Sequence, residues 1–181
     1  MTIQPFLYGD RVMLRLVERD DIEMLRNWAD DPDIRPNLRW TGPIPRGFDS
    51  DFAHTVLSRT DSISFVIHAN GNDIGCILLT NIETDHGTAD ISIWIRSAAH
   101  GKGYAKEATE LVLRHAFDTL RLQRVQALSY EYNSPAHSVL DALNFTHEGT
   151  LRHSVYHDGE YYDCYVYGIL DTELPTDNSD D

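Results

Sequence analysis

The sequence predicts a single α/β domain of the α+β kind, a mixed and mostly antiparallel sheet flanked by helices, and three observations carry that prediction. Apolar and polar residues alternate with the two-residue period of half-buried strands in "RVMLRLV" (11–17) and "RVQALSY" (124–130). Within "ISFVIHANGNDIGCILLTNIE" two apolar runs meet at Asn70-Gly71, and because both residues accept positive φ the pair reads as a hairpin turn. From Ala108 the spacing Leu111, Val112, Ala116, Leu120 changes to that of a helix face. At 181 residues the chain has the length of one ordinary domain and buries enough apolar surface to fold without a metal or a disulfide.

After the first strand, "ERDDIEMLRNWADDP" places Ile22, Leu25 and Trp28 on one helix face, with Asp20 and Glu23 at capping-box spacing. Residues 32–47 are rich in Pro, Gly, Arg and Asn, which predicts a long irregular connection of the kind that borders binding sites. A short second helix is expected at 52–57. The hairpin follows, and "TADISIWI" (88–95) adds a third antiparallel member. Beyond the strand at 124–130, Ser134 reads as an N-cap and Pro135 as a first helical residue; the helix runs to Leu143, where Asn144 can take the left-handed terminating conformation. "HDGEYYDCYVYGIL" supplies a last antiparallel pair. The domain is expected to span 1–172, leaving 173–181 as a polar, acidic tail without fixed structure.

Twenty-nine acidic residues against 15 basic ones give a formal charge of -14, which argues against a nucleic-acid partner because phosphate neutralisation needs a basic face. The positive residues are nearly all arginine, a composition that also suits a solvated surface at high salt. Cys76 and Cys164 lie in apolar, strand-like runs with no disulfide framework around them, so a reducing, cytoplasmic setting is expected. No apolar stretch reaches the roughly 18 residues of a membrane span, and no signal peptide is apparent.

The chain's two lysines both fall within "AHGKGYAKEA" (99–108), around Gly101 and Gly103. A strand that runs into glycines and then opens a helix is suited to an anion, because the first N–H groups of a helix are unpaired and its dipole is positive there. Lys102 and Lys106 add positive charge where an otherwise acidic protein would repel a phosphorylated ligand. The loop is no Walker motif, since Gly103 is followed by Tyr104 and Ala105 rather than by Lys and Ser or Thr. A dinucleotide fold would need its glycines after the first strand of a parallel sheet, whereas these lie behind antiparallel hairpins.

On these residues the sequence resembles the GNAT superfamily of acyl-CoA-dependent N-acyltransferases, whose pyrophosphate loop reads Q/R-x-x-G-x-G/A and here reads His100-Gly101-Lys102-Gly103-Tyr104-Ala105. "RVMLRL", Ile74-Gly75, "GKGYAKEA", Ala116-Phe117, Asn133 with Ala136, Asn144-Phe145 and "EGTLR" fall in the family's order and look most like its Rim-type branch, which acetylates ribosomal-protein N-termini. The resemblance covers most of the chain. It implies a sheet splayed in the middle, acetyl-CoA in the wedge between the two central strands, pantetheine along the backbone of Ile93, Trp94 and Ile95, and the pyrophosphate on residues 101–106. Asn133 matches a position that faces the pantetheine arm, though an Asn ending a strand before a capped helix would look the same.

His100 stands where the family has Gln or Arg, and Asn144 replaces the usual glycine. Leu140 occupies the position of a Tyr that donates a proton to the leaving thiolate in many members, and Ala136 that of a Rim-type Ser. The remaining candidates for that acid are Ser134, His137, Ser138 and Tyr132. Asp90 stands where many relatives carry Glu and is the expected base, acting through water on the amine, with a backbone N–H near Ile93 to polarise the thioester.

His147, His153, His157 and Cys164 resemble zinc ligands only superficially, because separate strands and a turn carry them; no metal is expected. Glu160 and Asp163 lie where the last hairpin borders the acceptor cleft and can attract a cationic amine. The reading is therefore an N-acetyltransferase, monomer or homodimer, moving acetyl from acetyl-CoA to a protein N-terminus, with no nucleic-acid or membrane partner. A polyamine, aminoglycoside or other small amine is the alternative acceptor, and a CoA-binding sensor without turnover the alternative class.

Overall fold

The computed structural model describes residues 4–38, 51–57 and 59–175. Eight strands form one sheet in the order β1-β2-β3-β4-β5-β6-β8-β7: β1 (Leu7–Tyr8), β2 (Met13–Leu16), β3 (Ile63–Ala69), β4 (Asn72–Glu83), β5 (Thr88–Ile95), β6 (Arg124–Tyr130), β7 (Thr146–His157) and β8 (Glu160–Leu170). Every neighbouring pair is antiparallel except β5 with β6. Helices α1 (Ile22–Ala29) and α2 (Asp51–Val56) cover one face, and α3 (Tyr104–Arg114) and α4 (Ser134–Ala142) the other.

The strand period sorts the core into two layers. Phe65 and Ile67 of β3, Ile77 and Leu79 of β4, and Ile91 of β5 pack with Ala108, Val112 and Leu113 of α3. Val66, Cys76, Leu78 and Trp94 point the other way, onto Leu25 of α1 and Phe52 of α2. Each fully buried Leu, Ile or Phe contributes about 1.5–3 kcal/mol over exposure, so the alternation fixes which face meets which helix pair. α3 relaxes at its end into a π turn at His115–Thr119 before the chain enters β6.

The expected turn at Asn70-Gly71 forms with φ of 50° and 77°, and Asn144 ends the α4 region at φ 65°. The first strand is shorter than expected, because Gly9 N–H bonds the Val12 carbonyl at 2.9 Å and the chain turns there to add β1. The capping interaction before α1 comes from Glu18 and Asp21, whose carboxylate accepts the Glu18 N–H at 2.9 Å, not from Asp20 and Glu23. A 3-10 turn at Arg19–Asp21 precedes the helix, so the capping pair sits two residues earlier than expected. Of the long connection expected at 32–47, residues 39–47 lie outside the described ones.

The end of the domain also moves. Glu173 caps the Leu170 N–H at 2.9 Å, Asn144 donates to the Glu173 carbonyl, and Arg114 to that of Pro175, so the chain stays attached three residues past the expected boundary at 172. Residues 176–181 of the expected tail lie outside the described ones. No helix among the described residues is long and apolar enough to cross a membrane.

Candidate active site

β5 and β6 pair over only four positions, from Thr88↔Arg124 to Ile91↔Ala127. Past them β5 stays bonded to β4 as far as Gly75↔Ile95, and β6 to β8 as far as Tyr130↔Cys164. The two facing edges therefore diverge, leaving main-chain donors and acceptors without a strand partner along the wedge between them. Ile93 and Ile95 turn their side chains to the α3 layer and Trp94 turns its own to the α1 layer; the Arg96 N–H bonds the Ile74 carbonyl, so by strand alternation Trp94 bonds Cys76 of β4 while Ile93 and Ile95 turn their main-chain groups toward the wedge.

At the open end, β5 passes through a 3-10 turn at Ser97–Ala99 into the glycine loop. Gly101 (φ 72°) and Gly103 (φ 79°) are both left-handed, a conformation that glycine alone adopts without strain, and α3 begins directly at Tyr104. The N–H groups of Gly101, Lys102 and Gly103 have no partner among the described residues. Those of the first helical turn have none within the helix. A methyl group at Gly101 would meet nothing within 4 Å, so the loop faces open space. Lys102 and Lys106 are exposed beside it; Lys102 Nζ lies 3.2 Å from the Ala98 carbonyl. Tyr104 is buried, with its hydroxyl accepting the Asn70 amide at 2.6 Å, and Ala105 is half-buried. Outward N–H groups, a helix start and two ammonium groups together are chemically suited to an anion. His100 braces the loop from behind, since its Nε2 donates to the Ile95 carbonyl at 2.6 Å.

On the opposite face, Asp90 is half-buried in the closed seam, one position before the pairing ends. Asn81 Nδ2 donates to its Oδ2 at 2.8 Å, and Gln126 Nε2 lies 3.5 Å from its Oδ1. Arg124 bonds Gln126 at 3.2 Å and grips both oxygens of Glu148 at 2.5 Å, which holds the Glu148 carboxyl below its ordinary range. A polar row thus crosses from β4 to β7. The sequence singles out Asp90 as the expected base but neither amide beside it; the one hint is a polar Asn inside "LLTNIE". Next to Asn81 opens a cavity of about 420 Å³ lined by Asp51, His54, Arg59, Asp61, Thr80 and Asn81.

The other residues expected to be catalytic lie around the start of α4. Asn133, not Ser134, caps α4: its backbone is non-helical, and its Oδ1 accepts the Ala136 N–H at 3.3 Å, while Ser134 is already the first helical residue and exposed. Tyr132 donates its hydroxyl to the Pro36 carbonyl at 2.6 Å and packs against His157 and Tyr162. Burial first, then the neighbouring Tyr130 and Asp158, pushes its pKa up to about 12. His137 bonds the Tyr130 carbonyl, and the Ser138 hydroxyl bonds the Ser134 carbonyl. With Ser97 Oγ on Asp33 at 2.8 Å and Arg96 over the Trp28 ring, the Tyr132 bond ties the segment after α1 to the ends of both diverging strands.

Asp163 accepts the His153 N–H at 2.8 Å and gives its own N–H to Glu131, so it is engaged in shaping the last hairpin. Glu160 is exposed and accepts the Tyr162 hydroxyl at 3.3 Å. Among the described residues no three His, Cys, Asp or Glu side chains converge as metal ligands.

The profile of the acetyltransferase (GNAT) domain matches residues 11–146. The chain is 30% identical over 152 residues to the spermidine N(1)-acetyltransferase of Escherichia coli (strain K12), covering 83% of this chain and 81% of that one. Its fold is similar to that of spermidine N-acetyltransferase from Vibrio cholerae in complex with CoA and spermine, with a TM-score of 0.80 at 24% identity over 91% of this chain and 98% of the other. It is also similar to Mycobacterium smegmatis RimJ in complex with CoA-disulfide, with a TM-score of 0.74 at 25% identity over 91% and 84%.

Proposed function

The chain belongs to the acetyltransferase (GNAT) family and is an acetyl-CoA-dependent N-acetyltransferase; from that premise we propose that it acetylates the primary amine of a small cationic acceptor of the polyamine kind, with Asp90 as the base. The diphosphate of acetyl-CoA takes the free N–H groups of residues 101–106, with Lys102 and Lys106 balancing its charge. Pantetheine runs along β5 past Ile93, Trp94 and Ile95, on the edge that has no strand partner in β6, and meets the side-chain Nδ2 of Asn133, whose Oδ1 is taken by the α4 cap. The thioester then lies at the closed end of the wedge, one residue from Asp90.

The reaction is direct attack. Asp90, through water, takes a proton from the incoming ammonium, and the neutral amine adds to the thioester carbonyl. A backbone N–H of β5 near Ile93 receives the oxyanion. Collapse breaks the C–S bond, the nitrogen passes its second proton through water to the departing sulfur, and CoA leaves as the thiol while Asp90 returns its proton to solvent. Tyr132 stays protonated at working pH but donates its hydroxyl to the Pro36 carbonyl, and Ser134 is an exposed residue of the first turn of α4, so neither is assigned the final transfer.

The observation that carries the acceptor class is the cavity beside Asn81, whose lining among the described residues includes Asp51 and Asp61 with one arginine, Arg59, 3.7 Å from Asp61. Similarity to spermidine acetyltransferases supports the same reading. Similarity to RimJ favours a second one, a protein N-terminus as acceptor. The thiols of Cys76 and Cys164 are buried and form no disulfide among the described residues, which supports a reducing, cytoplasmic setting. Thiol release from acetyl-CoA, measured with spermidine, spermine and N-terminal peptides, tests the proposal. Polyamine turnover is the expected result; turnover with peptides alone favours the second reading, and CoA binding without turnover on any acceptor favours a sensor.

A further inference from the structure

The turn between β1 and β2 reaches across 96 positions of sequence to the glycine loop. Glu107, one turn into α3, accepts Arg11 N at 2.7 Å, Arg11 Nε at 2.9 Å and Val12 N at 3.1 Å. The same arginine donates Nη1 to the Lys102 carbonyl at 2.9 Å, inside the loop itself, and its guanidinium lies over the Tyr104 ring, 5.7 Å from the centroid. A methyl group at Gly103 would come within 3.1 Å of Arg11 Nη2, so the second glycine leaves room for this side chain as well as for its φ.

Two physical consequences follow from that geometry. In a trans peptide the carbonyl and the next N–H point in opposite directions, so engaging the Lys102 carbonyl on the Arg11 side turns the Gly103 N–H away from it. A carboxylate near the start of a helix would also oppose anion binding there, and Arg11 cancels the charge of Glu107. The side chain of Arg11 is 55% exposed, where an ion pair adds little to stability, so the arrangement is better suited to shaping the loop than to holding the fold.

We infer that Arg11 is a positioning residue for the diphosphate loop: it locks the Lys102 peptide with the loop's N–H groups outward and screens Glu107 from the bound anion. The inference rests on the reading that this loop binds the diphosphate of CoA. Arg11→Gln and Arg11→Lys variants test it, with CoA binding followed by calorimetry and turnover measured separately on acetyl-CoA and on acetyl-pantetheine, which lacks the diphosphate. The expected result is a rise in Kd for CoA and KM for acetyl-CoA of about tenfold or more for Arg11→Gln, with kcat, the acetyl-pantetheine kinetics and the melting temperature unchanged. Arg11→Lys restores part of the affinity, because an ammonium cannot span Glu107 and the Lys102 carbonyl as a planar fork does. Wild-type CoA affinity in Arg11→Gln, or an equal loss with acetyl-pantetheine, overturns the inference and leaves the loop assignment standing. If the wild-type protein itself fails to bind CoA, the loop assignment falls, and the inference with it.

Discussion

The side-chain amide of Asn81 donates to Asp90 at 2.8 Å from a left-handed backbone position, φ 50°, where β4 bulges between Thr80 and Glu83. A bulge re-aims a side chain that a regular strand would send elsewhere. Here it fixes the orientation of the carboxylate at the closed end of the wedge. Asp90→Asn should lower kcat by about 10²- to 10⁴-fold, the range for losing a general base, and leave the KM for acetyl-CoA within about twofold. Asn81→Ala should lower kcat by less, through misorientation. Initial rates against pH check both; wild-type rates in Asp90→Asn would remove Asp90 from the chemistry.

Gly103 tolerates no side chain, because its φ of 79° costs another residue about 1–2 kcal/mol and its Cβ would press on Arg11. Gly103→Ala should therefore lower stability by about that amount and weaken CoA binding more than it slows turnover at saturation. Thermal denaturation and calorimetry with CoA measure the two effects. Gly159→Ala, at a φ of 90° in the turn between β7 and β8, should share the stability loss and spare the binding.

Tyr132→Phe keeps the ring stack on His157, whose centroid is 4.8 Å away, and removes only the bond to Pro36. The net loss expected for one hydrogen bond is about 0.5–1.5 kcal/mol. The kinetic expectation is a fall in kcat of under about tenfold with a higher acceptor KM, since the segment after α1 loses one of its ties. A fall of about 10²-fold or more at unchanged KM would instead identify Tyr132 as the proton donor to the thiolate.

Arg15 forms a fork to Asp21 at 2.7 and 2.8 Å and reaches Asp73 at 2.7 Å, while Asp73 also meets His68 at 2.8 Å. Burial alone would raise the Asp21 carboxyl, but hydrogen bonds from Arg15 and the Glu18 N–H, with the charge of Arg15, outweigh it and hold the group below its ordinary 3.8. A carboxyl depressed in the folded state adds stability in full above its unfolded value, and the addition fades as pH falls through the folded one. Arg15→Gln should cost roughly 3 kcal/mol or more at neutral pH, because it strands partly buried carboxylates. That deficit should narrow below about pH 4, as the wild-type protein loses the same contribution. Urea unfolding between pH 3 and 7 gives the curve, and a deficit independent of pH would rule out the ion pair as its source.

Features written in a local period were legible in the sequence. The strands at 88–95 and 124–130 have the expected bounds, and Asn70-Gly71 and Asn144 adopt the positive φ their side chains permit. The glycine loop announced itself through Gly101, Gly103 and the lysines because strand, turn and helix are consecutive there. Caps were ambiguous where two suitable residues stood side by side: Asn133 and Ser134 are both good N-caps, and only the backbone angles chose Asn133. The contacts of Arg11 with Lys102 and of Tyr132 with Pro36 each join residues more than 90 positions apart. No periodicity records them; they exist because the sheet brings a hairpin and a loop to one edge.

The short join between β5 and β6 gives the molecule a mechanical axis. On either side of it the strands are bonded continuously, so the two halves of the sheet can rock about those four residue pairs without breaking any other rung. Widening or narrowing the crevice is then the softest distortion available, and amide protons along Leu128–Tyr130 and Ser92–Ile95 should exchange before those of β3 and slow when a ligand bridges the halves. A molecule that fits the crevice would act as a rivet between the two halves.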